Sequence, residues 1–163
     1  MDFTANRSLP GGNYKLRDVF SGLDEVEPLI KCVGDTSTLR QILDRTRVTL
    51  KDEDGYMYVN DEDGSLVVGL EYLKSGEEVH LYLDVIHELV HVKQFLQGRD
   101  LFDRRYSYVD RPTEIEAYRC CVEEGRKIGM SEEAIAEYLH VEWITKADHL
   151  RLLRTLRVKD APS

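Results

Sequence analysis

Apolar positions change period twice along the chain, and each change marks a new kind of element. Over residues 1–24 no period is sustained, and Leu9-Pro10-Gly11-Gly12-Asn13 reads as a turn, so a loosely attached arm is expected. Helical spacing follows over 25–33 and again over 37–45. The second helix carries Leu39, Ile42 and Leu43 on one face, with Ser37 placed to cap it. From Val48 the pattern becomes strand-like. Segments 48–50, 56–60 and 66–72 are rich in β-branched and aromatic residues, punctuated by Asp54-Gly55 and Asp63-Gly64. Asp-Gly between apolar runs favours hairpin turns, which predicts a three-stranded antiparallel meander.

The helical period then returns and stays. Ser75-Gly76-Glu77-Glu78 has the form of a capping box, and Val79, Leu83, Ile86, Leu89, Val90 and Leu96 keep helical spacing up to Gly98. A helix over 76–97 is predicted. The connection over 99–112 is long for a compact domain, which is often a functional sign. Three further helices are predicted: 114–128 with Thr113 as cap and Gly129 as stop, one capped by Ser131 to about 139, and one capped by Thr145 to about 157. This order gives an α+β fold: a small twisted antiparallel sheet packed on a long helix, then a mostly helical C-terminal half. A single compact domain over 1–163 is expected, with 1–24 as the arm, 25–98 carrying the sheet and long helix, and 99–163 the connector and last helices.

Composition narrows the function classes. A chain of 163 residues buries a sizeable core unaided, and 42% hydrophobic with 33% charged residues excludes collagen-like and disordered classes. The net charge of −9 argues against nucleic acid as a partner, because phosphate contacts need clustered cations. Apolar runs of a few residues exclude a bilayer span, and the first ten residues lack a secretory pattern. Cys32, Cys120 and Cys121 are an odd set with two adjacent, unlike a disulfide framework, so a cytoplasmic location is expected. The repeated Asp-Glu-Asp-Gly at 52–55 and 61–64 lacks EF-hand spacing and reads as solvated turns.

The chemistry lies in His87-Glu88-Leu89-Val90-His91, an H-E-x-x-H sequence inside the long predicted helix. Residues i and i+4 project from one helix face, so two imidazoles there can reach one tetrahedral ion. Glu88 sits beside the first histidine, where a general base could reach water on that ion. A zinc enzyme normally takes a third protein ligand and leaves the fourth position open. Glu116, followed by the small Ala117, is the first choice for that ligand, with Glu114 and Cys120 as alternatives. Thr113 and Glu116 could instead form a capping box.

The pairing of this motif with a downstream Glu-Ala on a second helix resembles the zincin metallopeptidases, in their gluzincin branch and its compact minigluzincin type. The resemblance covers about residues 66–120. It implies Zn2+ held by His87, His91 and Glu116, with Glu88 as general base and acid. It also implies a peptide or protein substrate bound in extended form against an edge strand near 66–72. Gluzincins place a tyrosine shortly before the third ligand, which points to Tyr106 and Tyr108 as oxyanion donors, with His140 and His149 as other candidates. The metzincin third histidine is missing after His91. A carboxylate supporting the first histidine commonly lies four residues after the ligand glutamate, where this reading places Cys120.

Two rival readings remain at this stage. One is a zinc amide hydrolase of deformylase type, which would need an upstream cysteine, and Cys32 is the one available. The other is a catalytically silent module whose C-terminal helix meets a partner through Leu150, Leu152, Leu153 and Leu156.

Overall fold

A computed structural model describes residues 1–159. Residues 160–163 of the expected 1–163 unit lie outside the described residues. The α+β class and the long helix are as expected from the sequence.

Four strands make the main sheet, in the order β2 (Gly12–Lys15), β4 (Arg47–Lys51), β6 (Leu66–Gly69), β5 (Met57–Val59). The β2–β4 and β5–β6 pairings are antiparallel, but β4 and β6 run parallel, with Val48 opposite Leu66. The meander order is therefore corrected: β4 skips its sequence neighbour and pairs with β6. Burial explains why. Leu66, Val67 and Val68 are all buried, so this strand is apolar on both faces and suits an interior position. β5 is short and carries Tyr58, 44% exposed, and takes the edge. Residues 70–72, expected as strand, begin helix α4 (Leu70–Ser75) instead, because Leu73 turns into the core.

The capping expectations are partly corrected too. Ser75 ends α4, its hydroxyl donating to Glu71 O, and Glu77 caps the long helix α5 (Glu78–Leu96) by accepting from His80 N. Between them Gly76 is pressed against Tyr72, where an added Cβ would meet ring and backbone atoms at 2.6 Å. The chain thus turns sharply before α5 rather than running straight into it. Asp35, not Ser37, caps α3 (Thr36–Arg45), accepting from Thr38 N at 2.7 Å. Ser131 and Thr145 cap α7 (Glu132–Tyr138) and α8 (Lys146–Leu156) as expected.

Residues 1–24 are not a loose arm. Strands β1 (Thr4–Ala5) and β3 (Phe20–Ser21) pair with each other, and the short helix α1 (Leu16–Val19) lies between β2 and β3. Phe3, Leu16, Val19, Phe20 and Leu23 all enter the core. Phe3 rests on Tyr82 of α5 with ring centroids 5.0 Å apart. Arg7 caps the end of α4, donating to Leu73 O and Gly76 O at 3.2 and 2.7 Å. The anchors are spread one or two per element, so they leave no periodic signal.

The long helix is the axis of the molecule. Leu81, Tyr82, Leu83, Val85, Ile86, Leu89, Val90 and Val92 are buried, and together they point to every side of α5. A helix apolar all round belongs inside. It packs against α6 (Pro112–Lys127), α2 (Glu27–Val33), α3 and strand β5. Helix α8 buries Leu152, Leu153 and Leu156 in the core, so its apolar face is already occupied.

The N-terminal packing makes a stability prediction. Phe3→Ala should destabilise the protein by about 3–5 kcal/mol, as for a large aromatic removed from a packed core. Denaturant unfolding checks this; a change below about 0.5 kcal/mol would mean the first residues are not part of the core.

Candidate metal centre

An apolar buried helix tolerates polar side chains only where they find partners. On α5, His87, Glu88 and His91 are each more than nine-tenths buried, and their ligand atoms lie within 4.8 Å of one another. The arrangement could hold a metal ion. The closest carboxylate oxygen is from α6. Glu114 Oε1 lies 2.9 Å from His87 Nε2 and 2.9 Å from His91 Nε2, and the two nitrogens are 3.1 Å apart.

The third ligand expected from the sequence is thereby corrected. Glu116 Oε1 accepts from Lys93 Nζ, Gln94 Nε2 and Arg99 at 3.0, 2.8 and 3.1 Å, and has no contact with either imidazole. The phase of α6 decides between the two acids. Pro112 opens the helix, which a proline at the first position favours. The buried stripe of Ala117, Tyr118, Cys121 and Gly125 runs back one turn to Glu114, while Glu116 falls on the polar margin. The Thr113–Glu116 capping box does not form; Thr113 donates to Leu101 O instead. Glu114 also sits in the first helical turn, where the helix dipole favours a carboxylate.

The tautomer of His91 tests whether these groups suit a cation. Gln94 Nε2 donates to Thr113 O and to Glu116 Oε1, so its oxygen faces His91 Nδ1, 2.6 Å away. That oxygen can only accept, so Nδ1 carries the proton. In neutral His91 the Nε2 lone pair then points at the Glu114 oxygen, two acceptors facing each other at 2.9 Å. A proton or a metal ion must lie between them. Ligand atoms around a tetrahedral ion at about 2.0–2.1 Å are roughly 3.3–3.4 Å apart, close to this triangle. The donor set fits.

Electrostatics agree with the geometry. Burial opposes the charged form of Glu114, but the hydrogen bonds and charges of His87 and His91 win and hold its pKa well below the usual range. Burial likewise opposes imidazolium at His91, yet the Glu114 hydrogen bond and the Glu88 charge lift it to about 9. Glu88 is pushed up to about 7, mainly by burial and only partly offset by the two histidines. His87 Nδ1 is buried with no hydrogen-bond partner among the described residues. Cys120, at the position where the resemblance implies a supporting carboxylate, lies against Cys32 and makes no hydrogen bond with His87. Four residues after Glu114 stands Tyr118, whose ring packs on His87 at 4.2 Å.

A cleft of about 410 Å³ opens onto Glu88 and both histidines. Tyr108 and Tyr118 line it, their hydroxyls 2.6 Å apart. Tyr106 stands outside it, 41% exposed, beside the Arg105 guanidinium. Tyr108 is held by a short 3-10 turn (Tyr108–Asp110), which Arg151 of α8 ties down through Asp110 at 2.9 Å. His140 and His149 stack on each other at 4.2 Å. His149 Nε2 bonds Ala136 O, and His140 alone of the pair lines the cleft. Strand β6 lies inside the sheet; the edge strand facing the cleft is β5, through Met57, Tyr58 and Val59. Cys32 lies beside Lys93 Nζ at 3.8 Å and next to Cys120, and does not line the cleft. Cys120 and Cys121 are buried, the Cys120 thiol pushed up first by its hydrogen bond to Cys32 and then by burial, the Cys121 thiol by burial. No helix among the described residues is long and apolar enough to cross a membrane.

Sequence reasoning missed Gln94, Tyr118 and Asp84. Gln94 follows His91 by three positions and Asp84 precedes His87 by three, so both share the histidine face of α5. Compared with protein-family models, curated protein sequences and solved structures, the chain matches none.

The two acids separate cleanly by experiment. Glu114→Ala should abolish one-to-one metal retention, whereas Glu116→Ala should keep the metal with at most about tenfold weaker affinity, acting only through Gln94. Metal content after dialysis, with a chelator competition, reads both; the reverse order would restore Glu116 as ligand.

Proposed function

We propose that the protein is a zinc-dependent metallopeptidase, with His87, His91 and Glu114 as ligands and Glu88 as general base. The observation that carries this reading is the unsupported Glu88 carboxylate. It faces a cleft beside a three-donor set made of two histidines and one acid, which leaves a fourth position open. When bound, zinc supplies Lewis acidity toward a scissile carbonyl and makes water acidic enough to lose a proton near neutral pH. The nitrogen and carboxylate donor set suits zinc.

The remaining steps belong to the chain. Glu88, with a pKa near neutrality, takes the proton of the attacking water and returns it to the leaving amine. Gln94 holds the His91 ring and its tautomer. Tyr108, oriented by its hydrogen bond to Tyr118, donates to the oxyanion as the carbonyl becomes tetrahedral. The β5 edge offers unpaired backbone groups to an extended peptide. Of the rival readings, the deformylase type lacks its cysteine at the metal and the silent module lacks a free face on α8.

Glu88→Gln should cut hydrolysis of an internally quenched peptide by about 10²–10⁴-fold with metal content unchanged. Activity at wild-type level in that variant rules out the proposed base. Tyr108→Phe should lower kcat by about 10²-fold with little effect on KM, and Tyr106→Phe should change neither. Steady-state kinetics of the two variants distinguishes them; equal losses would return Tyr106 to the site.

A further inference from the structure

The cleft is lined by acids, aromatics, histidines and a few apolar side chains, and by no Lys or Arg. Apart from Glu88 and Glu114, the carboxylates facing it are Glu77, Asp84, Glu137 and Glu142. A divalent ion at the histidines would bring two positive charges against six carboxyl groups, of which burial pushes Glu88 and Asp84 toward the neutral form. The cleft floor therefore keeps a negative potential, focused by its low-dielectric walls.

The aromatic groups form one continuous wall that ends on the metal ligand. Tyr72 meets Tyr56 at 4.9 Å, Tyr56 meets Trp143 at 6.3 Å, and Trp143 meets Tyr108 at 5.6 Å. Tyr108 meets Tyr118 at 6.3 Å, and Tyr118 lies on His87. Carboxylates are tied into this wall by the phenols. Glu142 accepts from Tyr56 OH at 2.7 Å, and Asp84 accepts from Tyr72 OH and Tyr138 OH at 2.5 and 2.6 Å. Each carboxylate keeps further acceptor capacity. Trp143 is 55% exposed at the cleft mouth, beside Glu142.

Carboxylates fixed beside aromatic faces are what a guanidinium or ammonium group needs: charge-assisted hydrogen bonds at its edge and a ring quadrupole at its face. Resting on the metallopeptidase reading, we infer that the cleft selects peptides by a basic side chain, Arg or Lys, seated between Trp143, Tyr56 and the Glu142 carboxylate and directed toward Asp84. An acidic side chain there would meet the Glu142 and Asp84 carboxylates. An apolar one would cover Glu142 and leave its charge with the Tyr56 hydroxyl alone.

The test separates binding from turnover. Trp143 is the only tryptophan of the chain, so its fluorescence reports the cleft mouth. Acetylated peptide amides Ala-Ala-X-Ala, with X as Arg, Lys, Leu or Glu, are titrated into the metal-loaded Glu88→Gln protein. The Arg and Lys peptides should bind about tenfold or more tighter than the Leu peptide, with the Glu peptide weakest. Adding Glu142→Gln should weaken Arg and Lys binding by about five- to tenfold and leave the Leu peptide unchanged. Glu142 is at the exposed mouth, so this change spares the fold.

Equal binding of Arg and Leu peptides, preference for Glu, an equal loss for all four on Glu142→Gln, or no fluorescence change with any peptide each overturns the inference. Hydrolysis by the wild-type protein is measured on the same peptides. Cleavage without basic preference overturns the inference and leaves the peptidase reading standing. Selective binding of basic peptides that the wild type never cleaves overturns the peptidase reading and supports the cleft assignment.

Discussion

One oxygen atom organises this protein. Glu114 Oε1 sits between two imidazole nitrogens at the buried crossing of α5 and α6. Burying three polar groups there costs stability unless each finds a partner or a cation. The surroundings are built to keep that meeting in register. Gln94 fixes one ring, Tyr118 packs on the other, and Lys93, Arg99 and Gln94 hold Glu116 at the near edge of the same interface. The polar network that satisfies Glu116 thus also sets the tautomer of His91.

The sheet serves this interface at a distance. An interior β6 and a short β5 edge place a strand with free backbone groups alongside the histidine face of α5. The 3-10 turn bearing Tyr108 is held by Arg151 from the last helix, so residues from both ends of the C-terminal half converge on the cleft. The aromatic wall joins Tyr56 at the start of the edge strand, Trp143 in the loop after α7 and His87 into one continuous surface.

Much of this was legible in the sequence, for reasons that can be named. The two histidines and Glu88 were visible because i, i+4 spacing is a local property of a helix, and α5 was visible because its period runs over many residues. Glu114 was not, because choosing between two acids two positions apart needs the phase of α6, and that phase is set by Pro112 and by what α6 packs against. Ala117 suggested close approach beside Glu116; the close approach is real, but it belongs to the stripe that leads to Glu114. The β4–β6 pairing was hidden because strand partners are chosen by burial on both faces and not by nearness in sequence. Residues 1–24 read as unpatterned for a similar reason: Phe3 and Arg7 act singly, on partners far along the chain.

That last arrangement bears on how the molecule comes to exist. Phe3 packs against Tyr82 of α5, and Arg7 closes the end of α4, so the segment that carries them has its seats far along the chain. Long-range pairings of this kind slow folding, because the chain must close a large loop before any contact rewards it. Until α5 forms, Phe3 lacks the Tyr82 ring it rests on, so the histidine helix also shelters an aromatic side chain that is exposed before it.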